Sequence, residues 1–191
     1  YLQNLITGSV ISWPDLNRFT PYFLPHSTDI AVLTTVFGGD DRLYNNVFVG
    51  VGDKANTNTN SKVKYGTEVY NSAKLPCWLS GNIYYNGSKP CLSEKIFFES
   101  SSFNPDVTLK EVGENVYLTF NLDAGYSNNK VPIITSEILG NAKIPKVRFE
   151  NSDGTPIVLN KDYFGKIRSG DKTTAGPFAD QAAGKVTLKV W

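Results

Sequence analysis

The chain has 191 residues, a formal net charge of +1, 40% hydrophobic and 13% aromatic residues. This near-neutral balance gives no electrostatic case for nucleic acid or an anionic membrane surface. No apolar run is long enough to span a bilayer, and no signal peptide opens the chain. The chain contains no Met and starts at Tyr1, in what reads as the middle of a strand. A fragment or a processed subunit, completed by a missing N-terminal part, is the resulting expectation.

Short alternating or β-branched runs recur between turn residues, and no stretch sustains a helical period. The first is "NLITG" (4–8), an asparagine, an apolar strand and a glycine. "TPYFLPHSTDI" (20–30) follows as a proline-braced loop leading into a strand at 29–35. "GGDDR" (38–42) reads as a solvated glycine turn in which Arg42 pairs with Asp40 or Asp41; it lacks the oxygen density of a calcium loop. "NVFVG" (46–50) then repeats the asparagine–strand–glycine pattern inside a strand at 46–51. "NTNTNSK" (56–62) reads as an exposed loop tip, followed by a strand at 63–69. "NIYYNG" (82–87) repeats the pattern once more and overlaps the sequon "NGS" at 86–88. Asparagine and glycine tolerate left-handed corners, so strands returning between them suit successive turns of a parallel β-helix. An antiparallel sandwich with three unrelated strands fits the same pattern.

Past residue 100 the repeat fades. Strands are expected at 116–122, 133–138, 147–150, 157–159 and 185–191, with a hairpin turn at Asp153-Gly154. The stretch 160–184, rich in Gly, Lys, Asp and Pro, reads as an irregular arm. Cys77 and Cys91 fit no zinc spacing, and both one disulfide and two packed thiols remain open.

His26 is the only histidine, set in "PHSTD" with Ser27 and Asp29. Consecutive side chains diverge, so these residues are poor material for a triad, and no second histidine supports a metal site. Trp13, Arg18, Tyr22, His26 and Asp29 form instead a planar, hydrogen-bonding set suited to sugar rings and hydroxyls. The plain structural alternative is that Tyr22, Phe23 and Leu24 pack under the prolines and His26 caps a turn. A glycosidase needs two carboxyl groups about 5–9 Å apart, and spacing nominates no such pair here.

"RFTPYFLPHSTDIAVL" with "GGDDRLYNNVFVG" resembles a segment of bacterial right-handed parallel β-helix carbohydrate enzymes, and "EILGNAKIP", "ENSDGTPIVLNKDYFG", "AGPF" and "GKVTLKVW" resemble their C-terminal part. The named group is glycoside hydrolase family 120, β-xylosidases with a β-helix body. The chain departs from that pattern in Asp29, where the family has Glu, and in the "FL" before Pro25, where it often has His. The resemblance implies an all-β chain: rungs of a right-handed parallel β-helix over 1–100, then a hairpin-rich segment over 101–191 packed on it. It implies part of a retaining glycosidase that releases pentose units from oligosaccharides, its catalytic Asp/Glu pair upstream of this chain. The implied sugar contacts are Arg18, Tyr22, His26 and Asp29. No cofactor and no metal are expected, and the partners are an oligosaccharide and the missing N-terminal part, not nucleic acid or membrane. The location is left open, with a bacterial periplasmic or extracellular one favoured over a cytoplasmic one. A non-catalytic carbohydrate-binding or structural β module and a polysaccharide lyase fragment are the alternatives.

Overall fold

The computed structural model describes residues 1–52, 63–168, 170 and 172–191; the polar stretch expected at 56–62 lies outside these. The first strands are β1 (Leu5–Ile6), β2 (Ser9–Ile11), β3 (Asp15–Phe23), β4 (Ile30–Val36), β5 (Arg42–Tyr44), β6 (Val47–Val49) and β7 (Val63–Tyr65). A 3-10 turn at Glu68–Ser72 leads to β8 (Trp78–Ser80), β9 (Asn82–Tyr85) and β10 (Phe97–Ser100). Then come β11 (Thr108–Val112), β12 (Asn115–Leu122), α1 (Ala124–Asn128), β13 (Lys130–Pro132), α2 (Ser136–Leu139), β14 (Lys172–Thr174) and β15 (Gly184–Lys189).

The expected extended parallel β-helix is not formed, and this removes the architectural basis of the likeness to family 120. Among the described residues the strands fall into six small sheets of two to four strands, together with two short helices. Among the named strands, parallel pairing is confined to β1-β6-β9-β10 and to β5-β8, with isolated parallel bridges at Leu2–Tyr44 and Gly66–Lys89. Between these strands the chain leaves to form antiparallel pairs, β2 with β7 and β3 with β4. Each excursion satisfies its own backbone groups locally instead of extending one continuous coil. After residue 100, β11-β12-β15 make an antiparallel sheet and β13 pairs β14.

The three asparagine repeats stack where the parallel sheet does form. Leu5 is in register with Val47, and Val47 with Ile83. The side-chain amide of Asn4 donates to Asn46 Oδ1 at 3.1 Å, that of Asn46 to Asn82 Oδ1 at 2.9 Å, and that of Asn82 to Glu94 Oε1 at 2.8 Å. The backbone N–H of each asparagine also donates to the next acceptor in the line, at 3.0, 2.9 and 3.3 Å. Asn46 and Asn82 are wholly buried, so this ladder answers the need of interior amides for partners.

Alternation then sends the strand residues to two cores. Val47, Val49, Ile83 and Tyr85 pack with Leu118, Phe120, Leu122, Tyr126 and Phe178 from the second half of the chain. Phe48 and Tyr84, ring centroids 5.3 Å apart, face the other way toward Leu43, Val69, Tyr70 and Cys91. Both cysteines are free thiols, and Cys91 donates to Asn71 Oδ1 at 3.1 Å.

Three local expectations are corrected. Within 133–138 the chain turns into α2, whose N-cap Thr135 accepts from the Ile138 N–H; one capped turn is too short to show a helical period. The run at 147–150 forms isolated bridges only, Arg148 with Asn141 and Glu150 with Pro156. The Gly154 N–H donates to the Asn151 carbonyl at 2.9 Å, closing the turn beneath the second of these bridges. The expected arm at 160–184 is exposed over much of its length, but one stretch of it enters the interior: Thr173, Thr174, Ala175, Phe178 and Ala179 are buried. Buried Arg168 holds it in place, donating to the carbonyls of Thr174 and Gly176 at 3.1 and 2.7 Å.

Candidate functional site

The β3–β4 pair is a long hairpin, and its two faces differ. Tyr22, opposite Val32, is half-buried toward the body of the protein, whereas Phe19, Phe23 and Leu33 are exposed. Under the inner face lies an open cleft of about 230 Å³, lined by Tyr1, Trp13, Tyr22, Tyr70, Asp40 and Asp41 among others. The Gly38-Gly39 turn brings the two acids there. Both glycines have positive φ, and a Cβ on Gly39 would collide with the Leu75 carbonyl, so only glycine lets the turn close onto that backbone.

The adjacent acids have different partners. Asp40 pairs with Arg42 through one carboxylate oxygen, and the other accepts the Lys143 N–H at 2.6 Å. Arg42 is itself buried, donates to the Leu139 carbonyl at 3.0 Å, and lies 3.9 Å from the Trp78 ring centroid and 4.7 Å from that of Phe149. The "GGDDR" turn is therefore a packed junction, not a solvated one. Asp41, half-buried beside it, has its carboxyl pKa raised, chiefly by burial. The Tyr1 amino group and Arg42 oppose this, and Asp40 adds to it. Tyr70, on the cleft floor, has its phenol pushed up by burial and stays protonated as a hydroxyl donor.

Of the four residues expected to contact sugar, Tyr22 lines this cleft. Arg18 is exposed on β3, where the register shifts between Asp15 and Phe19. His26 and Asp29 stand at the hairpin tip. His26 has φ 55°, and its Nε2 lies 2.9 Å from Glu150 Oε1, with Arg148 Nε 4.0 Å from the other Glu150 oxygen. The Asp29 N–H donates to Ser27 Oγ at 2.9 Å, and its carbonyl accepts from the Leu24 N–H at 2.9 Å. Ser27 is thus engaged in closing the turn, and His26 faces Glu150, so no Ser-His-Asp triad is assembled. Among the described residues no group of three or more His, Cys, Asp or Glu forms a metal cluster.

Sequence reading did not select Asp41 or Tyr70 as parts of the site. The Gly-Gly pair ahead of two acids was the only local signal for Asp41. Tyr70 arrives from the 3-10 turn, and no spacing in the chain points to it.

Chemically, the cleft offers an exposed indole, phenol hydroxyls and one carboxyl that carries no hydrogen bond to another described residue. Such a set stacks on an apolar ring face and exchanges hydrogen bonds with hydroxyls. No protein-family model matches the chain, and no curated protein matches it. Over its full length the chain is similar in structure to XylC, solved in complex with xylose, with a TM-score of 0.89 and 30% sequence identity. The match covers 100% of this chain and 32% of XylC, so the chain spans about a third of that protein. The likeness connects the chain to a protein that binds a pentose. Among the described residues no helix is long and apolar enough to cross a membrane.

Proposed function

We propose that this chain is part of a carbohydrate-acting protein for xylose-like pentoses, and that the cleft under the β3–β4 hairpin is a sugar subsite. Its likeness to a xylose-bound protein, together with an aromatic cleft containing a carboxyl group, supports this reading. Trp13 provides the stacking surface, the Tyr22 and Tyr70 hydroxyls contact ring hydroxyls, and Asp41 exchanges a hydrogen bond with one of them. Arg18, His26 and Asp29, along the hairpin and at its tip, are proposed to meet outer units of an oligosaccharide.

The reaction we propose is retaining hydrolysis, with an acid/base and a nucleophilic carboxyl group contributed from outside this chain. Asp40 is an unsuitable nucleophile because Arg42 and the Lys143 N–H already occupy both of its oxygens. That same observation favours a second reading, a non-catalytic sugar-binding module.

Two measurements separate these readings. Titrating xylose into the 191-residue chain should give saturable shifts of the Trp13 and Tyr22 signals, weakened at least tenfold in Trp13→Ala. A response that is absent, or identical in the variant, removes the subsite. For the longer protein, an aryl β-xyloside should be cleaved with retained anomeric configuration. Sugar binding without cleavage would leave the binding module.

A further inference from the structure

The asparagine ladder has a direction, and one end of it is open. Each rung passes the same donors down the line: the N–H and side-chain amide of Asn4 reach Asn46 Oδ1, those of Asn46 reach Asn82 Oδ1, and those of Asn82 reach Glu94. A carboxylate only accepts, so Glu94 closes the far end. At the near end, Asn4 is exposed and its Oδ1 receives no donor among the described residues.

The backbone repeats the step. The Val47 N–H donates to the Asn4 carbonyl at 2.8 Å, and the Ile83 N–H to the Asn46 carbonyl at 2.8 Å. In the same register the Leu5 N–H points away from β6, to the outer edge of β1, the edge strand of its sheet. Hollows flank this edge on both sides. One, of about 460 Å³, is lined by Leu5, Leu118 and Phe178 of the first core. The other, of about 380 Å³, is lined by Ile6, Leu43 and Phe48 of the second. Both cores are therefore open at the same edge.

We infer that the outer edge of β1 is a docking site for one further parallel strand. Its occupant is a segment of Asn–apolar–apolar type, contributed by a polypeptide region other than these 191 residues. XylC, most of which has no counterpart here, shows that this architecture exists within a longer chain. The incoming asparagine donates its N–H and side-chain amide to Asn4 Oδ1, and its carbonyl accepts from the Leu5 N–H. Its two apolar neighbours enter the two hollows, as Val47 and Phe48 do one rung further in. The inference stands on the ladder and its edge, independently of the sugar subsite.

The test is a titration of the intact chain with a synthetic peptide of residues 44–51, "YNNVFVGV", which carries the strand that already pairs with β1. Amide NMR should show saturable shifts centred on Asn4, Leu5 and Ile6 and slowed hydrogen exchange at the Leu5 N–H. Replacing the third residue of the peptide by alanine should weaken binding roughly tenfold, since two donors to Asn4 Oδ1 become one. Because only the peptide is altered, loss of folding cannot imitate this result. Shifts spread away from β1, or equal binding of the two peptides, would overturn the inference. So would a concentration-dependent dimer that protects the Leu5 N–H without peptide, because a second copy would then be the occupant.

Discussion

The parallel sheet, built from short strands, and the long β3–β4 hairpin are held in opposite ways. The sheet buries its polar groups and pairs them: Asn46, Asn82 and Glu94 share one line of hydrogen bonds, and Tyr84 donates to Glu94 Oε2 at 2.5 Å while lying 2.7 Å from Thr67. The hairpin exposes its apolar groups, with Phe19 at 67% and Leu33 at 58%, and its tip is tied down by His26 and Glu150. A buried amide left without a partner costs far more than an exposed ion pair is worth. Stability should therefore reside in the ladder, and freedom to meet a ligand in the hairpin.

The largest test of this contrast is Asn82→Ala. It removes the acceptor of the buried Asn46 N–H and one of two acceptors of the Asn46 amide, and takes one donor each from the Leu43 carbonyl and buried Glu94, and we expect a loss of about 2–4 kcal/mol in urea unfolding. A loss near that of an ordinary surface substitution would break the comparison. Next comes Gly39→Ala, at the turn that joins hairpin to body. A side chain there meets the Leu75 carbonyl at positive φ, so about 1–3 kcal/mol should be lost, together with the xylose response as Asp41 shifts.

A graded effect belongs to Glu94, whose pKa is raised, chiefly by burial, while its hydrogen bonds to Tyr84 and Asn82 pull the other way. Because the folded protein keeps this proton after the unfolded chain has released it, stability falls as pH rises from the ordinary value of 4.5 through the raised one. Asp41 contributes in the same direction. Unfolding midpoints measured from about pH 4 to about pH 7 should decline less in Glu94→Gln than in the parent; parallel curves would assign the proton elsewhere. The smallest stability effect is expected for His26→Ala, about 0.5 kcal/mol or less for a half-exposed pair. The proposed hydrolysis predicts that the same change lowers turnover of aryl xylosides without moving the unfolding midpoint. Unchanged turnover would remove His26 from the substrate path.

What could be read in advance follows the same division. The three asparagine–strand–glycine runs were legible because one physical need, a partner for an interior amide beside a left-handed corner, recurs in a fixed order. Their continuation into a long coil was not legible. Nothing in "NLITG" or "NVFVG" says how far the chain travels before it returns, and the intervening segments close into antiparallel pairs instead. Of the residues lining the proposed subsite, Tyr22 was nominated from the sequence because aromatic and polar residues cluster around it there. Asp41 and Tyr70 were not, since a glycine turn and a 3-10 turn bring them to the cleft from separate parts of the fold. The burial of residues 173–179 was hidden as well, because Arg168 and the threonines it contacts look like surface residues until they are paired.

Arg42 has a consequence for the order of assembly. Its guanidinium is buried, and it finishes its hydrogen bonding on the carbonyls of Leu139 and Asn141, 97 and 99 residues along the chain. Until that later stretch arrives, a charged group at the centre of the first half has Asp40 but not its other acceptors. Closing so long a loop is entropically slow, and a chain emerging from the ribosome makes its early strands well before it can complete them. Arg42 thus ties the completion of β5 to the docking of residues 139–141 against it.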